Sequence, residues 1–200
     1  VREAKKKIIA TSKSNRKIAI FADYDADGVC GGAIMYKALK EYFEEIYVII
    51  PNRQDGYGLN LVAVEELAKN KIDLLITVDC GIKNVEEIKQ AKLYGIDTIV
   101  VDHHQTGEVL PEAILVHPHL SNKLRFKYFS GGGVAYFLAK ALSKKAGREK
   151  WLLDLVAISS IADMVPLIED NRILVKYGLV VLNKTKNIGL KILFEKAIAV

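Results

Sequence analysis

The apolar positions of the chain fall into short hydrophobic runs separated by amphipathic stretches. Lys17-Ile-Ala-Ile-Phe-Ala22, Tyr47-Val-Ile-Ile50, Asp73-Leu-Leu-Ile-Thr-Val78 and residues 96–101 are such runs, rich in β-branched side chains. They predict short buried strands. Residues 113–116 read as a fifth. Between the runs, apolar residues recur three and four apart. Ala33, Ile34, Ala38 and Leu39 are interleaved with Lys37, Lys40 and Glu41, which predicts a helix over 29–43. Asn60 has the side chain of an N-cap for a helix to about residue 70. Asn84 offers the same for a helix with Glu86 and Glu87 in its first turn, where the helix dipole favours them. Pro51 stops the second run and Gly95 ends the helix before the fourth. Strand–helix alternation at this pace predicts βαβ units. The expected fold class is α/β, a three-layer doubly wound, mostly parallel sheet. After residue 120 a basic loop leads to Ser130-Gly-Gly-Gly133, then to helices near 134–146, 150–163 and 172–183. One domain is expected over residues 1–200, with a core of about 17–165 and a helical C-terminal extension over about 166–200.

Composition narrows the class. Two hundred residues, half of them apolar and a quarter charged, are the mixture of a globular domain. Disorder, collagen and a disulfide scaffold are excluded. Two cysteines, Cys30 and Cys80, point to a reducing compartment and a cytoplasmic location. No apolar run reaches the 18 residues of a membrane span, so no membrane partner is expected. The first residue is Val1 rather than Met, which suggests a piece of a longer chain. The net charge of +5 hides its parts. Residues 1–20 hold seven bases and one acid, residues 21–120 eight bases and 17 acids, and residues 121–150 eight bases and one acid. An acidic middle lies between basic flanks.

The acids explain why. The first run ends in Asp23-Tyr-Asp25-Ala-Asp27-Gly28, the third in Asp79-Cys80-Gly81, the fourth in Asp102-His103-His104. Open parallel sheets bind ligands outside the carboxyl ends of their strands. Neighbouring strands lie about 4.8 Å apart, so the three ends can share one crevice. Like charges at about 4 Å repel by about 4 kcal/mol at an effective dielectric of 20. Such a cluster must bind protons or cations. Carboxylates with one or two imidazoles suit Mn²⁺ or Mg²⁺ better than zinc. The supply exceeds what one ion needs and fits two, bridged by a shared Asp. Each Asp-rich turn taken alone reads as a helix N-cap; three together at strand ends do not. An EF-hand is excluded because its twelfth position would be Ile34. A dinucleotide fold is excluded because its first turn must be glycine-rich.

Further features bear on the site. Asp163 is one of two charges in the apolar stretch 151–166, the other being Asp154; it reads as a last metal ligand or as a surface residue near a helix end. Ser130 and Gly131, Gly132 and Gly133 open a helix, whose unhindered N–H groups can hold an anion. Lys123, Arg125 and Lys127 just before them favour a phosphate, as does Arg53 in the loop after the second strand. Cys80 reads as a small buried residue, and His117-Pro-His119 as a loop rather than a metal site.

These residues resemble the Asp-His-His (DHH) phosphoesterase family, and within it the RecJ-type exonucleases. Its motifs are matched in order by Ala22-Asp-Tyr-Asp-Ala-Asp-Gly28, Thr77-Val-Asp-Cys-Gly81, Val101-Asp-His-His104 and Ser160-Ile-Ala-Asp-Met-Val-Pro166. Pro51-Asn-Arg, Gly56-Tyr-Gly-Leu-Asn60 and Asn171-Arg-Ile-Leu-Val-Lys-Tyr-Gly178 favour the RecJ branch. The likeness covers about residues 17–190. It implies Asp25, Asp27, Asp79, His103 and Asp163 as metal ligands, Asp79 bridging two Mn²⁺ or Mg²⁺ ions. It implies Asp23 and Asp102 as supporting acids and His104 as the imidazole near the scissile phosphate; His104, Asp79 and Asp102 are the expected catalytic group. Arg53, Ser130 and the 131–133 glycines are the expected substrate contacts.

The implied activity is two-metal phosphodiester hydrolysis, as a 5′→3′ exonuclease releasing 5′-mononucleotides from single-stranded DNA in repair and recombination. The implied partners are single-stranded DNA and single-strand-binding, replication or repair proteins, with a monomeric chain. Tyr57 or Tyr128 would stack bases or pack in the core. RecJ proteins carry a further substrate-binding domain downstream, so this chain reads as the catalytic domain alone. Two alternatives remain: a short-oligonucleotide or cyclic-dinucleotide phosphodiesterase of the same family, and a non-catalytic replication-associated binding module. A polyphosphatase is disfavoured because Phe21 stands where those relatives place a His. A binding module is disfavoured because every ligand position is filled.

Overall fold

The computed structural model describes residues 1–14 and 16–198. Five strands form one sheet: β1 (Ile18–Ala22), β2 (Tyr47–Ile49), β3 (Leu74–Val78), β4 (Asp97–Val101) and β5 (Ile114–Val116). Their order is β2-β1-β3-β4-β5 and every pairing is parallel. The order reverses between β1 and β3, which is where such sheets open a crevice.

Alternate residues of each strand feed two cores. Ile18, Ile20, Leu74, Ile76, Ile99 and Val101 face one side; Ala19, Phe21, Leu75 and Val100 face the other. On the first side pack α1 (Arg2–Lys13), α2 (Ala26–Leu39), α5 (Gly131–Leu142) and α6 (Leu153–Ala162). On the second pack α3 (Leu61–Lys69) and α4 (Val85–Leu93). Three layers result because strands covered on both faces need helices on both. Outside α6 lie α7 (Glu169–Leu182) and α8 (Ile188–Ile198). The contact of α6 with α7 is close: a Cβ on Gly178 would stand 2.6 Å from the Ala157 methyl.

Register sets the height of the strand ends. Ala22, Val78, Val101 and Val116 are successive partners across β1, β3, β4 and β5. The ladder continues one step further. Asp23 N–H donates to Val78 C=O (3.2 Å), Asp79 N–H to Val101 C=O (2.9 Å) and Asp102 N–H to Val116 C=O (3.2 Å). Asp23, Asp79, Asp102 and His117 therefore stand in one row along the top of the sheet.

Several boundaries differ from the sequence expectation. The helix expected over 29–43 spans 26–39, because Asp25 caps it by accepting from the Gly28 N–H at 2.8 Å. Asp27 thus lies in its first turn rather than in a loop. Asn84 precedes α4 but gives it no side-chain cap; its amide instead bonds both the N–H and the C=O of Leu59. The helix expected at 134–146 begins at Gly131, since Ser130 caps it by accepting from Gly133 N–H. The stretch 150–163 divides into a 3₁₀ turn (Arg148–Leu152) and α6. α1 lies in a stretch for which the pattern predicts no element, while α7 and α8 make up the expected helical C-terminal extension. Residues 199–200 of the expected C-terminal extension lie outside the described residues. Among the described residues, no helix is long and apolar enough to cross a membrane.

Candidate metal centre

Three loops deliver the carboxylates. Asp23 and Asp25 follow β1, and Asp27 is carried by the first turn of α2. Asp79 follows β3 with φ +61°. Asp can occupy this left-handed region, at a cost the surrounding packing must cover. The following Gly81 (φ +107°) completes the turn, where a Cβ would strike Thr77. Asp102, His103 and His104 follow β4. Asp163 arrives from elsewhere, as the C-cap of α6, its N–H donating to Ser159 C=O at 3.0 Å.

His103 Nε2 stands among three carboxylates: 3.1 Å from Asp79 Oδ1, 3.6 Å from Asp27 Oδ2 and 3.7 Å from Asp163 Oδ2. His104 Nδ1 lies 3.9 Å from Asp79 Oδ1. Candidate ligand atoms fall within 4.8 Å of one another in three overlapping sets: Asp27, His103 and Asp163; Asp23, Asp25 and Asp79; and Asp79, His103 and His104. Asp79 and His103 each belong to two sets. Asp23, expected only to support the site, is placed as favourably as Asp25.

Two carboxylates beside each other are prepared in opposite ways. Asp27 is 1% exposed and fully bonded. Its Oδ2 accepts from Gly131 N–H (2.7 Å), and its Oδ1 from Gly132 N–H (2.7 Å) and Ser159 Oγ–H (2.6 Å). The N-terminus of α5 thus grips a protein carboxylate. The Gly131 and Gly132 N–H groups, expected at a substrate phosphate, are here taken by Asp27. Gly133 N–H is taken by Ser130 Oγ, which also bonds Ser159 Oγ at 2.6 Å, and all four residues are buried. The glycines serve close approach instead: a Cβ on Gly131 would lie 2.5 Å from Asp79 Oδ1. Asp79 Oδ1 itself has no hydrogen bond. Burial foremost, then the charges of Asp27 and Asp25, push its carboxyl up to about 10. Burial likewise raises Asp23 and Asp163.

Asp102 is completely buried and acts on the backbone. Its Oδ1 accepts from the N–H groups of His103 (2.7 Å) and His104 (3.1 Å) and pairs with His104 Nδ1 (2.8 Å); its Oδ2 accepts from Ile82 N–H (3.0 Å). Burial alone would raise its pKa, but the bonds from His104 and Ile82 outweigh it and hold the carboxyl down to about 2. In return the bond to Asp102 raises His104 above its ordinary value. Tyr57 Oη lies 3.1 Å from His104 Nδ1 and donates to Asp79 C=O at 3.2 Å. Tyr57 and Tyr128 are both more than half exposed, so neither is a core residue.

The guanidinium of exposed Arg53 stands 5.8 Å from the Tyr24 ring, between Asp23 and Asp25 in sequence. Arg53 thus lies beside a residue of the turn that follows β1. Cys80 is fully buried in the second core and belongs to no candidate ligand set. Asp154 is buried apart from the cluster, accepting from Thr185 Oγ1 at 2.6 Å. Two polar residues have roles that the sequence does not show. His117 bonds the His104 backbone, and Asn171 donates to the carbonyls of Tyr128 (2.6 Å) and Pro166 (3.0 Å), joining the basic loop to the segment after Asp163. Asn171 was visible only as a letter in a motif.

The cluster fits divalent cations on a structural criterion. Asp23 Oδ1, Asp79 Oδ1 and His103 Nε2 are buried atoms without hydrogen bonds. Buried polar groups are almost always paired. Hard oxygen donors with imidazole are the donor set of Mn²⁺ or Mg²⁺.

Comparison with known proteins points the same way. Residues 17–160 match the model of the DHH family, N-terminal domain. The chain is 40% identical over 198 residues to the single-stranded-DNA-specific exonuclease RecJ of Bacillus subtilis, covering 98% of this chain and 25% of that protein. The crystal structure of an exonuclease RecJ bound to manganese superposes with a TM-score of 0.89 at 37% identity, over 98% of this chain and 51% of that one. RecJ of Thermus thermophilus in complex with Mg²⁺ gives a TM-score of 0.69 at 31% identity, over 98% and 25%. The chain thus spans about a quarter of the length of the Bacillus relative.

Proposed function

The chain belongs to the DHH family, and from that premise we propose that it is the catalytic domain of a metal-dependent, single-strand-specific DNA exonuclease, releasing 5′-mononucleotides in the 5′→3′ direction. The observation that carries the reading is the shared set of unpartnered buried atoms on Asp23, Asp79 and His103, at the carboxyl ends of β1, β3 and β4. Asp27, His103 and Asp163 would hold one Mn²⁺ or Mg²⁺ ion, Asp23 and Asp25 a second, with Asp79 between them. When bound, the pair supplies charge neutralisation at the phosphodiester and a nucleophile available at neutral pH.

The protein's own groups do the rest. Asp27 arrives with its carboxylate orientation fixed by three donors. Asp102 holds His104 through Nδ1, which leaves Nε2 to exchange a proton or to stabilise charge on a phosphoryl oxygen. The Tyr57 hydroxyl steadies the same imidazole, 3.1 Å from Nδ1 and 3.4 Å from Nε2. Arg53, 5.8 Å from the Tyr24 ring, would supply a positive charge to a strand phosphate. Lys123, Arg125 and Lys127 add attraction that weakens as salt rises. We also take the 200 residues as one domain, and single-stranded DNA as its partner.

The test is hydrolysis of a 5′-phosphorylated single strand with Mn²⁺, comparing the protein with Asp79→Ala and with its EDTA-treated form. Release of 5′-mononucleotides that both treatments abolish supports the proposal. Equal rates for the two proteins would overturn the role of Asp79. A dinucleotide degraded faster than a long strand would transfer the reading to a short-oligonucleotide phosphodiesterase.

A further inference from the structure

We propose that His117 is a positioning residue for His104, acting through the backbone of the turn that follows β4. The inference rests on the nuclease reading above for its kinetic arm only. His117 is the fourth member of the row at the top of the sheet, directly after β5. It is 6% exposed, and its Nε2 lies 2.8 Å from the carbonyl oxygen of His104. Its Nδ1 accepts from the His119 N–H at 3.3 Å. A carbonyl can only accept and an amide N–H can only donate, so the ring is fixed as the neutral Nε2–H tautomer. Burial, which lowers the pKa of His117, favours that neutral form. Both ring nitrogens are thereby committed, and His117 belongs to none of the candidate ligand sets. Its role is mechanical.

The turn needs such a clamp. Asp102 holds its N–H side, accepting from both His103 and His104. His117 holds its carbonyl side. Among the described residues, positions 105–110 lie outside helix and strand and make no backbone hydrogen bond of their own. Without the His117 bond, the start of this segment would have no hydrogen bond tying its backbone to the sheet. The His104 ring, still bonded to Asp102 and Tyr57, would then lose the hold on its carbonyl side and tilt about those bonds, while His103 keeps its anchorage among the carboxylates. A misplacement of about 1 Å at a reacting group can cost up to about 10²-fold in rate.

A near-isosteric pair isolates the hydrogen bond. His117→Gln can keep an N–H donor at similar reach; His117→Met fills similar space without one. The other flank of His117 borders an apolar cavity of about 620 Å³, lined by Leu115, Pro118, Leu120, Leu124 and Phe129, which gives the Met side chain room. The expected result for His117→Met is a kcat about tenfold lower on a 5′-phosphorylated single strand. KM, Mn²⁺ affinity by calorimetry and the melting temperature should stay near the parent values, and His117→Gln should recover most of the loss. In ¹⁵N NMR of the metal-free protein, the His104 ring signals should shift or broaden in the Met variant, be restored in the Gln variant, and leave those of His103 in place. Unchanged His104 signals in the Met variant would overturn the proposal, as would a loss of kcat that Gln does not recover. So would equal losses in Mn²⁺ affinity and melting temperature, which would make the residue merely structural. If the parent lacks nuclease activity the function proposed above fails, and the NMR comparison still decides the role of His117. Should His117→Met not fold, His117→Leu serves as the variant without a donor.

Discussion

Removal of the Ser159 hydroxyl tests how Asp27 is held. Ser159 Oγ–H donates to Asp27 Oδ1 at 2.6 Å, and both residues are almost completely buried. A hydrogen bond to a charged group contributes about 1.5–3 kcal/mol. Ser159→Ala leaves no new orphan, because Asp27 Oδ1 still accepts from Gly132 N–H, and Ser130 Oγ keeps Gly133 N–H and a longer 3.3 Å contact with Ser160. No full desolvation penalty is therefore added, and the expected loss is about 2 kcal/mol. For a domain of this size that is a fall of about 4–8 °C in melting temperature. Ser160→Ala is the internal control. Ser160 reaches the network only through the 3.3 Å contact, so its loss should cost less than about 1 kcal/mol. The assay is urea unfolding at pH 7 in EDTA, with unchanged m values confirming that only stability has moved. Ser159→Ala within about 0.5 kcal/mol of the parent, or Ser160→Ala the more damaging of the two, would refute the reasoning.

Three further outcomes are expected. Asp79 has its carboxyl raised to about 10 by burial, so in metal-free protein the folded state keeps a proton that the unfolded chain releases above about 4. The stability of the parent should therefore decline from about pH 4 towards pH 10, while Asp79→Asn, which tolerates φ +61°, should decline less; parallel pH profiles in chemical denaturation would contradict this. Gly178→Ala gains about 1 kcal/mol of helix propensity but forces a methyl onto Leu153 C=O and to 2.6 Å from Ala157 Cβ, so net destabilisation of about 1–2 kcal/mol is expected in urea melts. Mn²⁺ at 100 times its dissociation constant should raise the stability of the parent by about 2.7 kcal/mol in differential scanning calorimetry, and that of Asp79→Ala by much less.

The sequence determined the strands, their parallel class and the acids at their ends, because these are local. A run such as Ile18–Ala22 is buried whatever it pairs with, and an Asp after it stands at the strand's carboxyl end. What three-dimensional packing decided is which groups meet, and in what state. Register put Asp23, Asp79, Asp102 and His117 in one row, a relation whose neighbours are up to 56 positions apart in sequence and that leaves no local trace. The glycines at 131–133 had the composition of a phosphate cradle, yet Asp27 reached them first, since α2 and α5 pack side by side with their N-termini at the same end of the sheet. His117 could not be told from a loop residue until β5 set it behind His104. Residue types fix which chemistry is available, whereas the opposite conditions of Asp79 and Asp27 follow from hydrogen bonds and desolvation that exist only once distant segments have packed.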